Sequence, residues 1–432
     1  MTEKMGLWGA VSIAVGTMIG ASIFSVFGLG ARIAGHNLPL VFVVSGGIAL
    51  LVAYSYAHLG SKIISNAGPI EFILHGIGDG LVTGALSILM WLTYVVSIAL
   101  FAKGFAGYVL PLFHVSATAL HTALVEAGVI AGFTALNLLG AGAVGRAEIF
   151  IVLTKLLVLG VFVVLGLWSI HPAWIAPTLS ATHVGGTLNA AAVFFLSYMG
   201  FGLVTNASEN IAQPGRNVPR AIYLSILIVT VVYVSVSVVA VGNLPLPRLI
   251  AAEDYALAEA AKPFLGRAGY LLVSLGALFS IASALNATLY GGANIAYALA
   301  KEGELPALFE RKVWFRAPEG LYLTAALGLM FALLFNLNGI ASIASAVFMV
   351  VYSFVLVSHF RLADEVGGRR SIIGVALGTV LLVFALLMHY QWQTDRAAFY
   401  ATWGTLAGSV LLEAVYRLLT RRVLATRTSP GA

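Results

Sequence analysis

The sequence contains no cysteine, little charge and no long polar stretch, and each absence removes a class of explanation. Without cysteine there are no disulfides and no thiolate metal sites, and the chain says nothing about redox compartment. Only 9% of residues are charged, against roughly a quarter in a soluble domain, while 60% are hydrophobic. None of the histidines pairs at metal-ligand spacing and no HExxH is present, so neither a metal nor a cofactor is expected. A channel would need a polar ring along one pore, and a membrane enzyme would need clustered His, Asp or Ser at mid-bilayer. Neither pattern is found, and an enzyme is not expected.

What remains is apolar. With a mean hydropathy of +0.99, the chain reads as an all-α, multi-pass membrane protein. Its length alone would suit about three soluble domains, but no polar stretch supplies one, so residues 1–432 are expected to form a single membrane domain. Twelve apolar spans are predicted, at about 7–34, 38–60, 83–110, 118–139, 146–169, 187–207, 219–242, 268–300, 320–336, 340–360, 371–390 and 398–420. The N-terminus has no separate basic region and no small-residue cleavage site, so span one is expected to be a retained helix. With the loops assigned alternately, sixteen of the 23 Lys and Arg fall on the side of the N-terminus and five on the other. That bias predicts both termini in the cytoplasm. It also accounts for the net charge of +6 without a nucleic-acid partner.

Two spans are interrupted. Span one carries Gly16-Thr17-Met18-Ile19-Gly20-Ala21-Ser22-Ile23-Phe24 where a plain membrane helix would carry leucine and valine. Glycine weakens a helix by about 1 kcal/mol relative to alanine and lets another group approach the backbone. Gly16 and Gly20 also fit a small-residue packing face, so this stretch alone leaves both readings open. Span six carries the second interruption, Ser197-Tyr198-Met199-Gly200-Phe201-Gly202. Spans one and six open successive blocks of five, and five is odd, so the second block enters the membrane inverted. Interrupted helices at matching positions of two inverted halves are the sequence signature of a transporter binding site. Half-helix ends there offer N–H groups to a carboxylate and carbonyls to an ammonium, which suits an amino acid.

Lys155 is the ionisable residue that demands an explanation. It lies about ten residues into span five, roughly 15 Å deep at 1.5 Å per residue, too far for its side chain to snorkel out. Charges placed so are functional by default, and burial disfavours the charged form, which would let Lys155 lose and regain a proton. The other reading is a structural amine held by backbone carbonyls. Lys103, near the outer end of span three, is expected to snorkel. Glu126 reads equally as a packing group or a proton relay, Arg146 and Glu148 as an interfacial pair, and Glu209 as a gating or solvated carboxylate.

The residues together resemble the amino acid–polyamine–organocation (APC) superfamily. The likeness is carried by Ile19-Gly-Ala-Ser-Ile-Phe24, Ser197-Tyr-Met-Gly-Phe-Gly202, Asn217-Val-Pro-Arg-Ala-Ile222, Tyr297-Ala-Leu-Ala-Lys-Glu-Gly-Glu-Leu-Pro306 and Lys155 itself. The resemblance implies a LeuT-type fold: inverted five-helix repeats at 7–169 and 187–360, peripheral helices at 371–420, and helices one and six unwound at mid-membrane. It further implies that Lys155 stands where sodium-coupled relatives bind a cation, meeting the carbonyls of Gly16 and Ile19, the hydroxyl of Ser280 and, as a further candidate, Ser283. Many relatives carry an acidic residue where this chain has Gly202, a departure that leaves Lys155 more exclusively responsible for coupling. The substrate carboxylate is expected at the N–H groups of Gly20, Ala21 and Ser22, with Met18 and Ile19 alongside. The ammonium is expected at the carbonyls of Ser197 and Met199 beside Gly200, with Phe194, Tyr198 and Phe201 closing the site. The function expected is sodium-independent symport of protons with neutral amino acids at the plasma membrane. An exchanger with a fixed Lys155 is the alternative.

Overall fold

The computed structural model describes residues 4–138, 144–301, 305, 307–309, 311 and 319–420. Among them the only β pairing is a single bridge between Met5 and Ile211, and the rest is helix and connection. Among the described residues, nine helical stretches are long and apolar enough to cross a membrane.

The first expected span is divided into α1 (Leu7–Met18), α2 (Ala21–Phe24) and α3 (Phe27–Ala34). Then come α4 (Leu38–Lys62), α5 (Pro69–Ile77), α6 (Leu81–Leu112), α7 (Ala119–Leu138) and α8 (Val144–Gly166). The sixth span begins as α9 (Ala181–Phe194), tightens to a 3-10 helix over Phe195–Gly202, and ends as α10 (Leu203–Asn206). The break expected here is therefore a change of winding: eight residues coil tighter, where 3-10 runs seldom exceed three or four. Helix α11 (Pro214–Asn243) leads into α12 (Leu246–Ala251) and a turn at Glu253–Tyr255. The following helix α13 (Ala256–Lys301) is bent at Gly266, whose φ of +60° only glycine adopts freely. Then follow α14 (Glu319–Leu334), α15 (Leu337–Val366), α16 (Arg370–Thr394) and α17 (Arg396–Thr420). Of these, α14 is apolar but shorter than the nine, and α17, with Arg396, Glu413 and Arg417, is not among them.

The interior is built where α1, the 3-10 segment, α4, α11 and α13 meet, and α8 packs on α1, α11 and α13. Large apolar side chains such as Leu120, Leu124, Phe150, Leu157, Leu381 and Leu382 face outward. In water such a surface would associate, whereas hydrocarbon solvates it at no cost. Some hydroxyls settle their hydrogen bonds within their own helices, as half-buried Thr17 does with the Ile13 carbonyl (2.8 Å) and Ser97 with that of Thr93 (2.7 Å). Others reach a neighbouring element, as Ser45 does at the Ala191 carbonyl (3.1 Å) and Ser345 at that of Ala192 (2.7 Å). In a bilayer interior no water is present to do this for them.

Candidate functional site

The break in the first span is an exchange of hydrogen bonds. In an unbroken helix the N–H of Gly20 would close onto Gly16, but here it donates to the Met18 carbonyl (3.0 Å). Ile19 leaves helical geometry, with φ −82° and ψ 84°. The turn frees carbonyls that other elements then occupy. Lys155, on α8 and only 2% exposed, donates its ammonium to the carbonyls of Gly16 (2.5 Å) and Ile19 (2.7 Å). Ser280, on α13, donates to the same Ile19 carbonyl (3.0 Å). Ser283 lies one turn further along and lines a cavity of about 50 Å³ together with Lys155, Gly16 and Thr17. An isolated buried ammonium is costly, and these oxygens supply what water would.

The Met18 carbonyl is taken by hydroxyls. Ser22 donates to it at 2.7 Å and Tyr233, on α11, at 2.5 Å. The Tyr233 oxygen also lies 3.0 Å from Ser22 Oγ and 3.4 Å from the Ser197 carbonyl, so one phenol bridges the two interruptions. At Gly200 the interruptions touch directly: a Cβ there would sit 2.9 Å from the Met18 nitrogen and 3.0 Å from Thr17 Cβ. Tyr352, on α15, donates to the Met199 carbonyl at 3.1 Å.

Between the breaks lies a central cavity of about 90 Å³, small beside the several hundred of a drug-sized ligand pocket. Met18, Ser22, Met199 and Gly200 line it, along with residues not foreseen from sequence: Thr17, Tyr56, Phe101 and Tyr352. Phe194, Tyr198 and Phe201 are buried beside it but are not part of its wall. Phe194 packs edge-on against Phe42 (5.4 Å) near Gly30, and Tyr198 donates to the Phe42 carbonyl (2.8 Å). Phe201 packs against Tyr56 and Tyr352. Ile19 and Ser197 contribute backbone oxygens, to Lys155 and Tyr233 respectively. Ala21 opens α2, and its side chain lies outside the described residues. The signal that could have found the tyrosines is that a phenol inside an apolar span needs a partner for its hydroxyl.

Three further expectations meet the structure differently. Lys103 is paired: its ammonium lies 2.9 Å from the carboxylate of Glu126, which at 1% exposure is costly to bury without a cation. Glu209 accepts from the backbone and side-chain amides of Asn66 (3.2 and 3.1 Å), which ties the end of the sixth span to the loop before α5. The side chains of Arg146 and Glu148 lie outside the described residues.

A family model described as amino acid permease matches residues 5–412. The chain is similar to an uncharacterized protein of Methanocaldococcus jannaschii, 61% identical over 97% of each chain. It is similar to the inner membrane transport protein YbaT of Escherichia coli, 34% identical over 97% of each. It also resembles the branched-chain amino acid permease BcaP of Bacillus subtilis, 26% identical over 83% of this chain and 80% of that one.

Proposed function

The chain belongs to the amino acid permease family, a multi-pass membrane protein and not an enzyme, and from that premise we propose that it carries neutral L-amino acids inward together with protons, without sodium. The observation that carries the reading is Lys155, whose ammonium bonds the freed carbonyls of Gly16 and Ile19. Protonated, it holds α8 to the broken first span and, through the Ile19 carbonyl shared with Ser280, to α13. Deprotonated, it loses the charge that makes these bonds strong, and the contact among the three elements loosens toward inward opening. Alternating access then follows from the pH gradient.

The substrate sits in the central cavity. Its carboxylate meets backbone N–H groups of Ala21 and Ser22, with Gly20 already engaged at Met18; its ammonium meets the carbonyls of Ser197 and Met199. Among the described residues no charged side chain lines that cavity, which favours neutral side chains. The branched-chain amino acids in the name of the Bacillus relative support the same class. Twelve spans in two inverted five-helix repeats (7–169 and 187–360) with helices 371–420 outside them, both termini in the cytoplasm and the plasma membrane as location complete the reading.

The test is uptake of labelled alanine into sodium-free proteoliposomes under an inward proton gradient, for wild type and Lys155→Ala. Accumulation in wild type that collapses with a protonophore, and none in the variant, is the expected result. Undiminished, equally pH-dependent accumulation by the variant would make the lysine structural and sink the coupling mechanism. Counterflow with no driven accumulation in wild type would mark an exchanger.

A further inference from the structure

Five tyrosines are wholly or almost wholly buried near the broken spans, and four of them spend their hydroxyl on a backbone carbonyl. Tyr108 donates to Phe24, Tyr198 to Phe42, Tyr233 to Met18 and Tyr352 to Met199. The fifth, Tyr56 on α4, is 0% exposed and lines the central cavity, yet its hydroxyl has no hydrogen-bond partner among the described residues. A buried hydroxyl without a partner is disfavoured and calls for an explanation; among the unpartnered hydroxyls of the described residues, that of Tyr56 belongs to a residue lining the central cavity. Its ring is held by edge-on contacts with Phe72 (6.0 Å), Phe201 (5.3 Å) and Tyr352 (5.3 Å), so it cannot swing to find a partner cheaply.

Several other hydroxyls on the wall, which also carries Tyr94 and Thr288, are committed as donors. Thr17, Ser22, Thr93 and Ser97 each give their proton to a carbonyl one turn back in the same span. Beside Tyr56 the wall is open, because residue 202 is glycine: a Cβ there would stand 3.4 Å from the Tyr56 ring and 3.7 Å from the Tyr352 hydroxyl. Gly202 is three residues beyond Met199 in the 3-10 segment, about 6 Å at 2.0 Å per residue. A group bound at Tyr56 therefore lies a side chain's length away from an amino acid's ammonium held at the Met199 carbonyl.

We propose that the Tyr56 hydroxyl is a specificity determinant that donates a hydrogen bond to an oxygen on the substrate side chain, so that neutral amino acids bearing a hydroxyl or primary amide are preferred over hydrocarbon isosteres. The inference rests on the central cavity being the amino acid site. It does not rest on proton coupling.

Threonine and valine match in shape and differ in one hydroxyl, so their ability to displace labelled alanine from purified protein reads the bond directly. Wild type should favour threonine by about fivefold, the worth of one neutral hydrogen bond, and Tyr56→Phe should bring the ratio near one. Glutamine against leucine should move the same way. Because the variant deletes only an unpartnered hydroxyl, it should melt no lower than wild type without substrate. An equal ratio in wild type, or a ratio that survives in the variant, overturns the proposal. So does loss of all alanine binding at unchanged melting, which would put Tyr56 on the main-chain clamp. Displacement needs no gradient, so failure of proton-driven uptake leaves this result standing and strikes only the coupling mechanism.

Discussion

A buried ammonium needs acceptors, and those at Lys155 are ones that a straight helix would keep for itself. Gly16 offers its carbonyl because Gly20 turns its N–H to Met18 instead. The same turn exposes the Met18 carbonyl to Tyr233, whose oxygen also approaches Ser197. Tyr233→Phe should therefore cost about 1 kcal/mol of stability and weaken alanine binding severalfold, since both interruptions lose a common anchor. A variant that binds and melts like wild type would show that Ser22 alone holds Met18. Lys103 and Glu126 allow a sharper contrast. Glu126→Gln leaves a charge without its partner and should lower stability on the order of 2 kcal/mol, less than for a fully buried pair because Lys103 keeps 16% exposure. Replacing both residues by methionine should recover part of that loss in thermal melting, because the pair leaves no lone charge of its own while nearby Asp254 loses the field of Lys103. Of these residues Lys155 stood out in the sequence, because a charge deep in an apolar span is costly wherever it points. Tyr233 did not: its partners lie more than 200 residues away at Met18 and Ser22 and 36 away at Ser197, and spacing along one helix carries no trace of them.

At the scale of elements, the two interruptions differ in kind. The first span opens, with non-helical angles at Ile19, whereas the sixth tightens into 3-10 winding. Composition marked both places, since glycine and small polar residues weaken a helix. It could not choose between opening and tightening, because that is decided by what packs alongside. Gly200 meets the Met18 backbone and cannot give way there, while Gly202 faces a ring edge at ordinary contact distance. The two glycines should accordingly respond differently to one added methyl group. Gly200→Ala should drive the interruptions apart, costing about 1–3 kcal/mol and lowering driven alanine uptake at least tenfold. Gly202→Ala should fold like wild type and retain uptake within a few-fold. Equal tolerance at both positions would mean that close backbone approach at Gly200 is incidental to transport.

For the molecule as a whole, the sequence's clearest statement is the sixteen-to-five division of Lys and Arg between alternate loops. That division rests on the expected twelve spans, and the fold fixes no direction of its own, since helices of this length and composition have no intrinsic sidedness. The ends of these spans were legible: the first, expected at about 7–34, runs from Leu7 to Ala34 in three pieces, and the eighth, expected from about 268, begins just past the Gly266 bend in α13. In both cases the sequence carries the cause: charged residues and Pro263 precede Gly266, and glycines and hydroxyl residues interrupt the first span. Orientation can be measured with little interference, because the natural chain has no cysteine to remove. Single cysteines replacing Lys62 or Arg369 should react with a membrane-impermeant maleimide only in inverted vesicles. Those replacing Arg248 or Lys262 should react only in intact cells. Labelling of all four from both sides would indicate a mixed orientation, and the reverse pattern would place the termini outside. Either result would remove the charge bias as a guide to this chain, and the reverse pattern would turn the proposed direction of proton flow around with it.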